Sequence, residues 1–244
     1  TVIPWAQAYS GGDIDANLIV EEIPRIMEVL REEYNIDETR IYASGFSAGG
    51  RSCINALMAY PDLFAAGAIQ PTSLFPSGEE AVYANDSGYK TVFSYEDFER
   101  ITEYTMPLII YGGTFESCWP ISLDYDLARQ VTSEDLTRYL NITGANFPEI
   151  TDETRTSIAT LSGSSVSRLT GFDFTLEQSE IVQKQGTNCF IGSYYNDDGV
   201  CTFQALAVEG MVHWPLYCEA EIEWEFMSQF ARDTETGELL YVEE

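Results

Sequence analysis

The chain has 244 residues, of which 45% are hydrophobic and 13% aromatic, so it is long enough for one α/β domain with a full core. It carries 40 acidic and 12 basic residues, and the net charge of −28 disfavours nucleic acid, anionic membrane surfaces and polyanionic substrates as partners. No apolar run has the length of a membrane span, and the acidic excess predicts a soluble protein that works outside the cell or in a salty setting.

Strand and helix patterns alternate along the chain. Apolar runs bounded by turn residues predict buried strands at 1–5, 40–44, 64–70, 107–111 and 203–209. Helical periodicity predicts helices at 15–34, directly after residue 47, at 123–140 and at 219–231. Pro24 should kink the first helix or make it restart, and 71–97 resembles a loop. The alternation predicts an α/β fold with a mostly parallel sheet and helices on both faces.

The second half of the chain contains a long polar segment and a hairpin. Residues 144–186 are rich in Ser and Thr and weakly periodic, which predicts a lid-like or substrate-facing insertion. Residues 189–194 and 200–209 predict a hairpin around the turn at 196–199.

The cysteines and the single histidine form no recognisable zinc pattern. Five cysteines are present without a C-x-x-C pair, so we expect no metal and no other cofactor. Cys189 and Cys201 are the first pair to test for a disulfide, although a tight hairpin turn would place Cys201 opposite Tyr194 instead.

The first residues lie inside an apolar run, Val2 to Trp5, that resembles a core strand. This predicts a single domain over 1–244 that is truncated at its N-terminus, with preceding strands and any targeting sequence missing. One edge or face of its core is then expected to be uncovered.

Residues 45–49, Gly-Phe-Ser-Ala-Gly, match the nucleophile elbow G-x-S-x-G. A predicted strand lies directly before the motif and a predicted helix directly after it, which is the context that the motif requires. The glycines two residues before and after the serine are expected because a Cβ there would clash with nearby backbone. The motif predicts Ser47 as a nucleophile and the N–H of Ala48 as one oxyanion donor.

A serine nucleophile needs a base, and His213 is the only histidine in the chain. It follows the last predicted parallel strand, where the order of nucleophile, acid and base places the base of an α/β-hydrolase. The acid should follow the strand at 107–111. Glu116 comes first after that strand and is the leading candidate, with Asp124 and Asp126 as alternatives.

The segment from Asn35 to Phe64, together with PLIIYGGTFE and GMVHWP, resembles the feruloyl esterase and polyhydroxybutyrate depolymerase branch of the α/β-hydrolases. The resemblance implies hydrolysis of carboxylic esters through an acyl-enzyme, with Ser47, His213 and Glu116 as the triad. It departs from the family at Val212, where glycine is usual, and at Trp214, which follows the histidine directly. The family's His-Gly segment, which supplies the second oxyanion donor, is not found.

The sequence thus predicts a secreted serine esterase acting on neutral esters linked to a polysaccharide or polyester. Phe46, Trp119 and Trp214 are candidates for lining the substrate site. The alternatives are a serine peptidase of the prolyl oligopeptidase type and a non-catalytic fragment of the hydrolase fold.

Overall fold

The computed structural model describes residues 17–70, 80–82, 92–116, 133–160 and 165–242. The strand predicted at 1–5 lies outside this part of the chain. In chain order the elements are α1 (Asn17–Glu33), β1 (Tyr42–Gly45), α2 (Ala48–Ala59), β2 (Ala66–Ile69), β3 (Glu80–Val82), β4 (Val92–Ser94), α3 (Tyr95–Tyr104), β5 (Leu108–Gly113), α4 (Ser133–Asn141), α5 (Asp152–Thr160), α6 (Ser165–Thr170), β6 (Ser179–Lys184), β7 (Thr187–Tyr195), β8 (Cys201–Val208), α7 (Tyr217–Met227), β9 (Phe230–Arg232) and β10 (Leu239–Tyr241).

Six strands form one sheet in the order β1-β2-β5-β8-β7-β6. The first four are mutually parallel, whereas β7 and β6 run antiparallel to their neighbours. The carboxyl ends of β1, β2, β5 and β8 therefore meet at one edge of the sheet. Side chains placed just after these strands are brought together there.

Both faces of the sheet are covered, because its side chains alternate between two separate cores. In β5, Leu108 and Ile110 face one core while Ile109 and Tyr111 face the other. Helix α2 packs on β1 and β2, and α7 packs on β2 and β5 from the opposite core. The predicted class, a mostly parallel sheet with helices on both faces, is confirmed.

Several elements differ from the sequence prediction. Helix α1 continues through Pro24 instead of restarting there. Helix α3 was not predicted, because its sequence is mostly acidic and aromatic, with Ile101 as its fully buried core residue among those described. The hairpin of β9 and β10 was also missed, since β9 was assigned in part to the last helix.

Much of the segment 144–186 belongs to the sheet and its core. Strand β6 pairs with β7 along its full length, and α6 packs against β7 and β8. The ring centroid of Phe174 lies 4.5 Å from that of Tyr194, near the amino end of β8. Phe174 therefore lies away from the sheet edge that carries Ser47, whereas β6 ends at that edge, where Lys184 pairs with Thr187. The lid-like role of 144–186 stays a prediction. Weak periodicity here reflects the short elements that make up the described part of this segment.

The cysteines in the described residues are free thiols: Cys53, Cys189, Cys201 and Cys218. In the hairpin, Cys201 pairs with Tyr195, whereas Cys189 pairs with Val208 at the far end of the strands. A disulfide between Cys189 and Cys201 is thus wrong, since the hairpin register separates them. Cys118 lies outside the described residues.

Two properties concern membranes and metals. No helix in the described part of the chain is both long and apolar enough to cross a membrane. The described residues also contain no group of three or more His, Cys, Asp or Glu side chains arranged to hold a metal ion.

Arg232 is a fully buried cation that joins three parts of the chain. Its guanidinium donates to the backbone carbonyls of Phe64, Tyr104, Thr105 and Gly237 at 2.6 to 2.9 Å. Burial lowers the pKa of Arg232 to about 10, so the group stays protonated at neutral pH. These carbonyl oxygens replace the water molecules that solvate the guanidinium in the unfolded chain.

We predict that Arg232→Met lowers the free energy of unfolding by on the order of 3 kcal/mol, because it leaves several buried carbonyls without a donor. Urea unfolding at pH 7 measures the change. The control is Arg25→Met, since Arg25 is exposed and pairs with Glu22 on the same helix. It should change stability by less than about 0.5 kcal/mol. Equal effects of the two changes would contradict the assignment.

Candidate active site

The chain turns sharply at Ser47, between the end of β1 and the start of α2. Ser47 has φ 56° and ψ −119°, a conformation that is costly for a residue with a side chain. Immediately after it, the N–H of Gly49 donates to the carbonyl of Phe46 at 2.8 Å and closes the turn. Ser47 therefore sits at the carboxyl edge of the sheet and at the N-terminus of a 12-residue helix.

The glycines around Ser47 are not equally constrained. A Cβ on Gly45 would lie 2.1 Å from the carbonyl oxygen of Gly49, and one on Gly50 would lie 2.4 Å from that of Gln70. A Cβ on Gly49 would meet no described atom within 4 Å. The expectation of a close contact at both glycines of the motif is therefore wrong at Gly49. The tight position after the serine is Gly50, because the helix turns that residue toward β2.

Ser47, His213 and Glu116 form a continuous line of short contacts. Nε2 of His213 lies 2.8 Å from Oγ of Ser47, and Nδ1 lies 2.9 Å from Oε1 of Glu116. The ring thus places one nitrogen toward the serine and the other toward the acid. This geometry lets Nδ1–H donate to the carboxylate while Nε2 accepts the proton of the serine hydroxyl.

The loops that carry Glu116 and His213 are tied to each other by hydrogen bonds from backbone N–H groups. The N–H of Phe115 donates to the carbonyl of Met211 at 3.1 Å, and that of Gly210 donates to Oγ1 of Thr114 at 3.0 Å. A Cβ on Gly113 would fall 2.0 Å from the Met211 carbonyl, so only glycine allows the loops to approach this closely. The parallel neighbours β5 and β8 thereby deliver Glu116 and His213 to one place.

His213 and Glu116 differ sharply in burial. The side chain of His213 is 47% exposed, whereas that of Glu116 is 1% exposed. The second carboxylate oxygen of Glu116 accepts from the N–H of Gly113 at 3.2 Å. The ring of Phe46 lies against the imidazole, with centroids 4.8 Å apart. One face of the base is therefore shielded by an aromatic ring, and its edge stays open to solvent.

Gln70, at the carboxyl end of β2, was missed by sequence reasoning. Its side chain is fully buried, and its Oε1 accepts from the N–H of Ser47 at 2.9 Å. Its Nε2 donates to Oε1 of Glu116 and lies 3.2 Å from Nδ1 of His213. The available signal was a lone amide that ends the otherwise apolar run FAAGAI.

Two buried glutamates on α7 lie behind the acid. Burial raises the pKa of Glu219 to about 8, with smaller contributions from the charges of Glu223 and Glu116. The N–H of Leu216 donates to Glu219 and opposes the shift, while Oε2 of Glu219 has no partner among the described residues. Burial also raises the pKa of Glu223, against hydrogen bonds from Ser44 and Tyr111. Sequence reasoning treated both as ordinary helix residues.

The remaining predicted site residues fall in different places. Ala48 is the first residue of α2, so its N–H belongs to the first turn, where helix N–H groups have no intrahelical acceptor. Trp214 is 69% exposed directly beside His213. Trp119, Asp124 and Asp126 lie outside the described residues. Ser47, Glu116 and His213 each follow a parallel strand, in that order along the chain, and the α/β-hydrolase fold has its nucleophile, acid and base in the same order.

Comparisons with known proteins find no matching family model and no significant match among curated protein sequences. Among solved structures, a thermostable esterase is similar over 41% of this chain, with 27% identity and a TM-score of 0.27, and the chain spans 21% of its length. An acetyl xylan esterase from Aspergillus awamori is similar over 91% of this chain and 74% of its own, with 16% identity and a TM-score of 0.47. Both TM-scores are low, so inferences about function rest on the site itself.

The different space around Gly45, Gly49 and Gly50 gives a test of the turn at Ser47. We predict that Gly45→Ala and Gly50→Ala each destabilise the protein by about 2 kcal/mol or more, because the added Cβ meets backbone that cannot move aside. Gly49→Ala should be tolerated and should stabilise α2 by about 0.5 to 1 kcal/mol, since glycine is unfavourable inside a helix. Thermal and urea unfolding of the three variants provide the measurement. Similar destabilisation by all three would contradict the described turn.

Glu219 gives a second test, in the pH dependence of stability. Its pKa in the folded protein, about 8, lies above the ordinary value of 4.5. The folded state therefore holds a proton that the unfolded state releases, so stability from this group is full below about pH 4.5 and is lost as pH rises to about 8. Glu219→Gln removes this titration. Relative to the variant, the free energy of unfolding of the wild type should fall by up to about 1.4 kcal/mol per pH unit between about pH 4.5 and pH 8. Above that range it should not fall further.

Urea unfolding of both proteins at pH 5, 6.5, 8 and 9 checks this prediction of about one proton taken up on folding. Parallel pH dependences of the wild type and Glu219→Gln would show that Glu219 ionises normally in the folded protein.

Proposed function

We propose that this protein is a serine hydrolase of carboxylic esters that works through an acyl-enzyme. The observation that carries the proposal is the line of contacts from Oγ of Ser47 through the imidazole of His213 to Glu116. A serine hydroxyl needs such a base to become a nucleophile, and the base needs an acid that fixes its tautomer.

In the first half of the reaction, Oγ of Ser47 attacks the ester carbonyl carbon while Nε2 of His213 takes the hydroxyl proton. The imidazolium then lies beside the buried Glu116, which stabilises its charge. When the tetrahedral intermediate collapses, the alcohol leaves with the proton from Nε2 and the acyl group stays on Ser47. In the second half, Nε2 takes a proton from a water molecule that attacks the acyl carbon. When this second tetrahedral intermediate collapses, Nε2 returns the proton to the leaving Oγ of Ser47 and the carboxylic acid product is released.

The tetrahedral oxyanion needs N–H donors near Ser47. The N–H of Ser47 is already bonded to Gln70, and that of Gly49 to Phe46. Ala48 lies between them at the start of α2, where the helix dipole favours negative charge. These contacts support Ala48 as the oxyanion donor from the elbow.

The surroundings of the triad favour neutral, partly apolar substrates. Beside Glu116 and His213, the chain exposes three apolar side chains, Phe115, Val212 and Trp214. The ring of Phe46 covers one side of the base. The net charge of −28 disfavours anionic esters. Neutral esters with apolar acyl or alkyl parts, including esters linked to polysaccharide or polyester, fit these properties, and so does action outside the cell.

A serine-directed fluorophosphonate should label Ser47, because its hydroxyl lies next to the base. Peptide mapping by mass spectrometry locates the label. Ser47→Ala should abolish labelling and lower kcat/KM on an aryl acetate by on the order of a thousandfold or more. The matched control is Ser44→Ala, since Ser44 lies on the same strand but donates to Glu223. It should label normally, and a label on any residue other than Ser47 would contradict the assignment.

Glu116→Gln should keep the shape of the site and lower kcat by on the order of a thousandfold or more, because an amide can favour the wrong imidazole tautomer. The same assay, run in parallel on a chromogenic peptide anilide, separates ester from peptide hydrolysis. Faster turnover of the peptide anilide than of the ester would indicate a peptidase instead of an esterase.

A further inference from the structure

Gln70 touches all three groups of the proposed triad. Its Oε1 accepts from the backbone N–H of Ser47, its Nε2 donates to Oε1 of Glu116, and the same Nε2 lies 3.2 Å from Nδ1 of His213. The residue is completely buried at the end of β2, so water does not compete for these contacts.

The backbone of Gln70 is also fixed. Its N–H donates to the carbonyl of Gly45 at 3.0 Å, and its own carbonyl lies so close to Gly50 that a Cβ there would clash. The amide therefore starts from a rigid position between the elbow and the acid.

The orientation of the amide follows from its partners. Ser47 offers an N–H, which needs an acceptor, and Glu116 offers a carboxylate oxygen, which needs a donor. Turning the amide over would place oxygen against carboxylate and N–H against N–H. The two contacts therefore select one orientation, with nitrogen on the side of Glu116 and His213.

The position of this nitrogen bears on the tautomer of His213. Nε2 of Gln70 and Nδ1 of His213 both reach the same oxygen of Glu116, which explains why the two nitrogens lie 3.2 Å apart. A bond from Nδ1–H to a carboxylate is charge-assisted and stronger than one from a neutral amide to an unprotonated Nδ1. With Oε1 of Glu116 held in place, the proton belongs on Nδ1, and Nε2 is left free to act as base.

We infer that Gln70 is a positioning residue that couples the strained elbow to the acid and so fixes the imidazole in its productive tautomer. The side-chain oxygen of Gln70 accepts from the backbone N–H of Ser47 in its positive-φ conformation. The side-chain N–H group of Gln70 holds the carboxylate of Glu116 in place. The inference rests on the proposed function of the Ser47 site, but its first test needs no turnover.

That test uses the fact that His213 is the only histidine in the chain. Protein labelled with 15N-histidine gives ring signals from one residue, and their chemical shifts report which nitrogen carries the proton. At a pH where the ring is neutral, the wild type should show one tautomer, protonated at Nδ1. Gln70→Met removes the donor and the acceptor at nearly constant volume, and its signals should move toward an average of both tautomers.

The matched control is Gln204→Met, which makes the same change on β8, where Gln204 contacts Ser193 rather than the triad. Its 15N signals should equal those of the wild type. A second variant, Gln70→Glu, keeps the volume and an oxygen for Ser47 but replaces the N–H donor with a carboxylate that repels Glu116. Its signals should depart from the wild type, most strongly at high pH.

Kinetics on an aryl acetate then separate positioning from binding. Gln70→Met should lower kcat by on the order of tenfold to a hundredfold, with KM changed less than about twofold, because the reacting groups lose alignment while the substrate surface is unchanged. Gln204→Met should leave both constants unchanged. If the wild type hydrolyses no ester, the proposed function fails, while the tautomer measurement still decides the role of Gln70.

Three results would overturn the inference. One is a wild type with both tautomers populated. Another is a folded Gln70→Met whose ring signals match the wild type. The last is failure of both Gln70 variants to fold, by circular dichroism, while Gln204→Met folds, since Gln70 would then serve the core rather than the triad.

Discussion

The backbone of Ser47 is held in a positive-φ conformation, and the arrangement of the whole site depends on the contacts that hold it there. Such a conformation costs on the order of 1 to 3 kcal/mol and persists only when its neighbours leave no alternative. Here Gly45 allows the helix to approach, the N–H of Gln70 bonds to the Gly45 carbonyl, and the Gln70 amide satisfies the N–H of Ser47. Because β1 and β2 are parallel neighbours, these contacts form at the same edge of the sheet as Glu116 and His213.

Burial differs strongly among the titratable side chains of the site. His213 is half-exposed, whereas Glu116 and Glu219 are both buried, and burial raises the pKa of Glu219 to about 8. At neutral pH Glu219 is therefore mostly protonated, so it places little negative charge behind Glu116. An acidic chain can bury carboxyl groups next to its active site at limited cost if they remain neutral there.

Local patterns were sufficient to predict much of this architecture. The motif around Ser47, the apolar strands, and the order in which Glu116 and His213 follow them depend on short stretches of sequence and on the rules of parallel sheets. The role of Gln70 and the freedom of Gly49 depend on contacts between distant strands and helices, which no short stretch encodes. The same holds for Arg232, whose four carbonyl partners lie in three separate parts of the chain. Weak periodicity at 144–186 concealed β6, because a solvent-facing edge strand alternates polar and apolar residues incompletely.

The most direct test of the account is mass spectrometry of the protein mixed with an excess of a short-chain aryl ester and quenched in acid within milliseconds. If Ser47 is the nucleophile, the protein gains the mass of one acyl group, located by peptide mapping on Ser47, which forms before steady state and disappears as the ester is consumed. Ester hydrolysis that proceeds with no acyl group on Ser47 at any time, or with the acyl group on another residue, would contradict it.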